Sequence, residues 1–249
     1  LVLTVSQTNA EHLISRKVPA NKIRVIPNGV DETLFHFAPP RIVTDPLRML
    51  YVGTLSSWQG LRVAIEALAL YRRDFPAKLT VIGEGRKQQR ESLTDLADSL
   101  GVGEHLEFVD GLQQEELVEH YHASHCAVAP LLINDRNRTQ GCCPLKVLES
   151  MSVGTPLIAS DLPVVRCLAR NGLDALLVRP GSAKAIKDAM LRLRRNPRLA
   201  ISMTASARRR IKQHFTWRHA QTKLIEAYDE LLEVSPSTKS RSSHASRSG

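Results

Sequence analysis

Short apolar runs alternate along the chain with longer stretches in which apolar positions recur every three or four residues, the pattern of strands and helices stacked around a parallel sheet. The first run predicts a strand from Leu1 to Val5, followed by a helix from Asn9 to Lys17 and a strand from Ile23 to Ile26 that stops at the turn signal Pro27-Asn28-Gly29. From Glu32 to Pro46 the periodicity vanishes and prolines gather, which predicts a linker between domains. Regular alternation then resumes. It predicts strand Met49 to Val52, helix Leu61 to Phe75, strand Leu79 to Ile82, helix Gln88 to Leu100, strand Leu106 to Val109 and helix Glu115 to Ala123. Strand Cys126 to Leu131, a polar loop, helix Pro144 to Val153 and strands Pro156 to Ala159 and Ala175 to Val178 follow. Helices Ala183 to Arg195, Ala200 to Gln213 and Arg218 to Glu233 close the pattern. The fold class expected is α/β, a Rossmann-like parallel sheet with helices on both faces.

Glycine changes the picture at the strand ends. Gly53, Gly83, Gly85 and Gly111 follow successive strands, where they permit tight turns and close approach of a ligand. The pair Gly83-Glu84-Gly85 lacks the third glycine of a dinucleotide fingerprint, and the chain has no Walker A pattern, which disfavours an ordinary dehydrogenase or nucleotide triphosphatase.

Of the 249 residues, 43% are apolar and 24% charged, as in ordinary globular proteins, and no apolar run approaches the roughly 20 residues of a membrane span. Leu1 to Val5 lacks the basic flank of a signal peptide, so a cytoplasmic location is expected. The chain opens without Met inside an apolar strand, and the preceding part of a longer protein is expected to lie before it. A formal charge of +9 asks for an anionic partner, and nucleic acid, anionic lipid and a phosphorylated small molecule all satisfy charge alone. Part of the excess sits in the basic tail from Ser235 to Gly249, whose composition predicts disorder. The arginines at 192, 194, 195 and 208 to 210 lie on helical patterns and read as solvated faces, with contact to a membrane surface the second reading. Cys126, Cys142, Cys143 and Cys167 have no metal-site spacing, and His120, His122 and His125 spread around a helix at about 100° per residue. Surface or capping histidines are expected there, and no metal.

The richest stretch runs from Cys126 to Asp161, where a polar loop enters a helix through Pro144 and the helix ends at Gly154-Thr155-Pro156. The start of that helix is aimed at the ligand edge of the sheet, where free N–H groups and the dipole favour phosphate. Lys146 in its first turn opposes the dipole. A nearby anion accounts for it; the alternative is an exposed lysine tolerated in solvent.

On these residues the chain resembles the C-terminal, donor-binding domain of GT-B glycosyltransferases, particularly the large retaining family that includes sucrose-phosphate and mannosyl transferases. Ile26-Pro27-Asn28-Gly29-Val30-Asp31 matches the segment joining the two domains, Tyr51-Val52-Gly53 the first strand of the donor domain, and Val81-Ile82-Gly83-Glu84-Gly85 its second glycine turn. Leu148-Glu149-Ser150-Met151-Ser152-Val153-Gly154-Thr155-Pro156 resembles the family's helix, and Phe215-Thr216-Trp217 through Tyr228 its closing helix. The resemblance implies domain limits: the end of an N-terminal acceptor domain with the linker at 1–40, the nucleotide-sugar-binding domain at 41–216, a helix returning toward the N-terminal domain at 217–234, and the tail at 235–249.

It also implies a donor site. Of the family's two glutamates, which contact the transferred sugar and the ribose, the second is Glu149, while Gly141 stands at the first. The basic residues that usually hold the diphosphate are replaced by Thr54 and Gln59. The expected phosphate cations are therefore Lys146 with Arg136 or Arg138, and the expected lining includes Gly53, Thr54, Gly83, Gly85, Gly111, Cys143, Pro144 and Leu145. Base contacts are expected from the backbone near Val109-Asp110-Gly111. The implied activity is retaining, metal-independent transfer of a sugar from a nucleotide-diphosphate donor to a hydroxyl acceptor, with no nucleic-acid partner and no further cofactor. No catalytic residue is assigned, and the fragment alone is expected to be inactive. A non-catalytic nucleotide-sugar module and an epimerase of the same architecture are the rivals, although no convincing acid/base pair is present for the latter.

Overall fold

In the computed structural model, which describes residues 1–233, the chain begins with β1 (Val2–Thr4), α1 (Gln7–Ser15) and β2 (Ile23–Val25). The two strands pair in parallel as a separate small sheet. Helix α1 starts two residues earlier than its apolar pattern suggests because the Ser6 hydroxyl accepts from the Asn9 N–H at 3.2 Å, satisfying a donor the first turn leaves free. The predicted tail from 235 to 249 lies outside the described residues.

After an irregular segment come β3 (Leu47–Val52), α2 (Leu61–Arg72), β4 (Ala77–Ile82), α3 (Lys87–Ser99), β5 (Leu106–Val109), α4 (Gln114–Ala123) and β6 (Cys126–Ala129). The second half comprises α5 (Leu145–Val153), β7 (Leu157–Ser160), α6 (Pro163–Arg166), β8 (Leu176–Val178), α7 (Ala183–Arg195), α8 (Pro197–His214) and α9 (Trp217–Glu233). The short α6 was not legible in the apolar pattern, being a single turn opened by a proline. Strand β6 stops before the predicted end because Pro130 follows Ala129.

Strands β3 to β8 form one parallel sheet in the order β5-β4-β3-β6-β7-β8. The α/β class and Rossmann-like architecture expected from the pattern are what the chain adopts. Along β3 the side chains alternate as the pleat requires. Leu47, Met49 and Tyr51 face a core shared with Ile65 and Leu68 of α2 and Met190 of α7, while Leu50 joins Leu148 and Met151 of α5 and Ile211 of α8 on the opposite face. Strands β6 and β7 are buried throughout, as befits strands covered on both sides. Strand order reverses between β3 and β6, and a crevice must open beyond their carboxyl ends.

Helix α9 returns to the start of the chain: the Val30 N–H donates to Phe215 O at 2.8 Å, the Trp217 N–H to Val30 O at 3.1 Å, and Arg24 of β2 pairs with Glu230. Two surface expectations are corrected. His125 is only 2% exposed; its Nδ1 accepts the Arg48 N–H at 2.9 Å, and burial lowers its pKa to about 4. Several arginines are structural ties rather than solvated charges. Arg194 forks onto Asp45 at 2.6 and 3.0 Å, Arg208 donates to Phe35 O, Ser152 O and Glu32 O, and Arg210 donates to Leu168 O and Cys167 O. Arg192, Arg195 and Arg209 are exposed. Among the described residues no helix is long and apolar enough to cross a membrane.

Candidate functional site

The crevice between β3 and β6 is built by two loops and a helix start. At the end of β3, Gly53 has φ +137°, and its N–H donates to Ile82 O at 2.9 Å. Gly83, at the end of β4, sits so close that a Cβ there would overlap Gly53 O. Gly83 is therefore required by the backbone of Gly53, and Gly53 by its own positive φ and the Lys146 side chain beside it. Thr54 follows, its carbonyl accepting the Tyr51 hydroxyl at 2.7 Å, and a single 3-10 turn over Ser57–Gln59 leads into α2.

The loop after β6 supplies the other wall. Asn137, fully buried, donates to Leu132 O at 2.9 Å and anchors a π-helical turn over Arg136–Gln140, which places the Arg136 guanidinium 4.9 Å above the Trp58 ring. Gly141 then wedges against α1, where a Cβ would lie 2.4 Å from Asn9 N and 2.6 Å from Ser6 Oγ. Asn9 Nδ2 donates to Gln140 O and Asn28 Nδ2 to Cys143 O. No larger side chain fits at 141 while this packing holds.

Helix α5 enters the cleft with Pro144 at its cap and no side chain capping its first N–H groups. One turn presents Lys146 and Glu149 on the same face, three residues apart. Lys146 Nζ donates to Gln59 Oε1 at 2.9 Å, lies 4.4 Å from the Tyr51 ring centroid, and occupies the space a side chain on Gly53 would need. Glu149 Oε2 accepts the Tyr121 hydroxyl at 3.0 Å. Burial lowers the Lys146 pKa to about 7, against which the Glu149 carboxylate acts. Burial likewise raises the pKa of Glu149, which Tyr121 and Lys146 pull back down. Each residue thus disfavours its own charge by desolvation and supports that of the other.

The resulting cleft has a volume of about 540 Å³ and brings together Gly53, Thr54, Arg136, Cys143, Pro144, Leu145, Lys146 and Glu149. Lys146 is not the exposed surface lysine of the alternative reading. Four expected residues lie elsewhere. Gly83 backs the loop rather than lining the cleft; Gly85 opens onto a neighbouring depression with Lys87, Arg90 and Asp110; Gly111 and the exposed Arg138 stand outside it. The reason for Arg138 is the π-helical turn, which directs Arg136 across the cleft mouth and its neighbour two residues on away from it. Sequence reading placed Gln59 only as a neutral replacement and missed its hold on Lys146, and it missed Tyr121, Trp58 and Asn9 as parts of the site, since their partners are distant in sequence. Among the described residues no group of three His, Cys, Asp or Glu side chains is placed to hold a metal ion.

The family model of glycosyl transferases group 1 matches residues 33–210, from the linker into α8. The chain belongs to this family. Within the glycosyl transferases group 1, it is 31% identical over 208 residues to a glycogen synthase of Mycobacterium tuberculosis, covering 83% of this chain and 48% of that protein. It is 26% identical to the amylovoran biosynthesis glycosyltransferase AmsK of Erwinia amylovora, over 93% of this chain and 56% of the relative. The chain spans about half the length of the curated relatives it matches. Among solved structures, a glycosyltransferase from Rickettsia africae superposes with a TM-score of 0.82 at 19% identity, covering 94% of this chain and 64% of that one. Anabaena HepE, solved in complex with UDP and glucose, superposes at 0.79 and 18% identity, covering 94% and 63%. These structures share the fold, that of the GT-B glycosyltransferases.

Proposed function

We propose that the cleft binds the nucleoside-diphosphate part of a sugar donor, and that the complete enzyme transfers the sugar to a hydroxyl acceptor with retention and without a bound metal. The observation that carries this reading is the placement of Lys146 and Glu149 on one face of the first two turns of α5, inside the crevice where the strand order reverses. Glu149 would accept the ribose hydroxyls, its other carboxylate partner being Tyr121. Lys146, the uncapped N–H groups of α5 and Arg136 would face the diphosphate. As the glycosidic bond breaks, negative charge grows on the leaving phosphate, and fixed donors at that point lower the barrier. The helix dipole supplies only about half a unit charge, so the side-chain cations carry the rest. Anabaena HepE, a protein of the same fold solved with UDP and glucose and with UDP-glucose, supports the donor class. Retention rests on the family resemblance, and acceptor contacts are assigned to the part of the enzyme beyond this chain.

Isothermal titration of the chain with UDP, GDP and ADP tests the reading. At least one should bind, and Glu149→Gln should weaken it by about 1.5–3 kcal/mol, the worth of a charge-assisted hydrogen bond. Absence of affinity for all three, or an unchanged affinity in the variant, would refute it. Multiple turnovers of a sugar nucleotide by the chain alone would contradict the assignment of the acceptor side.

A further inference from the structure

The two basic side chains of the cleft come from one wall and are met by the other. Arg136 projects from the π-helical turn after β6 and Lys146 from α5, while Trp58 and Gln59, consecutive residues of the 3-10 turn before α2, reach them from across the cleft. Both of these partners are neutral. Gln59 Oε1 accepts from Lys146 Nζ at 2.9 Å, and the Trp58 ring centroid lies 4.9 Å from the Arg136 guanidinium carbon. Among the described residues Arg136 has no carboxylate partner, and Glu149, the one acid lining the cleft, is engaged by Tyr121. The Cys142 thiol of the same loop lies beside Arg136, and burial keeps it neutral. The backbone under the pair is fixed without either side chain: the Leu132 N–H donates to Trp58 O at 3.0 Å, Asn137 Nδ2 to Leu132 O at 2.9 Å, and the Gly141 N–H to Arg136 O at 2.9 Å. What is left to be placed is the long arginine side chain, and the indole face is what limits it.

We propose that Trp58 is a positioning residue for donor binding: its ring holds the Arg136 guanidinium across the cleft mouth and leaves the N–H fork free for a diphosphate. This rests on the donor-site reading above. A ring face attracts the cation through its quadrupole and takes up none of its N–H donors, whereas a carboxylate would occupy the fork and cancel the charge that the phosphates need. A guanidinium held in this way keeps its fork for two phosphate oxygens. An arginine tethered beforehand also loses less freedom when the ligand arrives, so less of the binding energy goes into ordering it. Trp58 therefore acts on affinity through Arg136, with no contact of its own to the phosphates.

The experiment is a double-mutant cycle read by calorimetric titration with whichever of UDP, GDP or ADP binds, on the native chain, Trp58→Leu, Arg136→Met and the double variant. Arg136→Met should weaken binding by about tenfold or more, as expected for loss of a charge-assisted hydrogen bond. Trp58→Leu should weaken it by about two- to fivefold, the scale of a cation–π contact at an exposed site. In the Arg136→Met background Trp58→Leu should cost nothing further, because the side chain it positions is gone. Trp58→Phe keeps a ring face and should bring affinity back to within about twofold of the native chain. The loss in Trp58→Leu should also shrink as salt rises, since a charge carries it. Urea denaturation checks that each variant is folded, and Trp58→Met takes the place of Trp58→Leu in the cycle if the latter is not. Unchanged affinity in Trp58→Leu, a loss that persists in the Arg136→Met background, or no recovery in Trp58→Phe overturns the inference and leaves the donor site standing. Failure of every nucleotide to bind removes the donor-site reading instead.

Discussion

Replacing Lys146 with methionine should make the unliganded protein more stable, although it removes a residue the site uses. Methionine keeps most of the apolar stem of the lysine but lacks the terminal nitrogen, its charge and its hydrogen bond to Gln59. A pKa lowered from 10.5 to about 7 means that the folded state disfavours the ammonium, and at about 1.4 kcal/mol per decade of proton affinity the net cost, after the attraction of Glu149, is at most about 5 kcal/mol. Two contacts offset it: the hydrogen bond to Gln59, worth about 1.5 kcal/mol or somewhat more for a charged donor, and the approach to the Tyr51 ring, worth about 1 kcal/mol. A net gain of about 1–3 kcal/mol remains for Lys146→Met at pH 7. For a domain of this size that raises the thermal midpoint by about 2–4 °C per kcal/mol. Below pH 7 lysine is charged in both folded and unfolded chains and the full cost stands. Between pH 7 and 10.5 the unfolded chain holds the proton and the folded one does not, so native stability rises with pH and the advantage of the variant shrinks. Differential scanning fluorimetry of both proteins from pH 6.5 to 10 measures this directly. A variant no more stable than the native chain at pH 7, or an advantage that stays constant to pH 10, would refute the reasoning.

Two further outcomes follow from neighbouring features. Gly53→Ala forces a side chain at φ +137° into the space of the Lys146 nitrogen, and should cost about 1–3 kcal/mol in urea denaturation; an unchanged midpoint would show that the loop relaxes freely. His125, held neutral with a pKa of about 4, should contribute stability present above pH 6.5 and lost as pH falls toward 4, up to about 3 kcal/mol; parallel stability profiles for the native chain and His125→Gln would contradict it.

The sequence by itself determined the alternation of strands and helices, because burial on both faces of a sheet writes itself locally: Cys126–Ala129 and Leu157–Ser160 are apolar at every or nearly every position, and the helices that cover them carry apolar stripes. It also marked α5, since Pro144 and Gly154 are start and stop signals read within a few residues. What a lysine meets across space has no such local signature. Only the tertiary structure decided that Lys146 is held by Gln59, 87 positions away, that Glu149 answers to Tyr121 of another helix, and that Arg136 crosses the cleft while Arg138 does not. The same holds for His125 and Arg208, polar residues on surface-like patterns that the packing of the linker and strands turned inward. Hydrophobic burial is encoded by periodicity within one element, whereas a buried charge takes its energy and its pKa from partners brought together by the fold, and those partners are fixed only when the sheet order is.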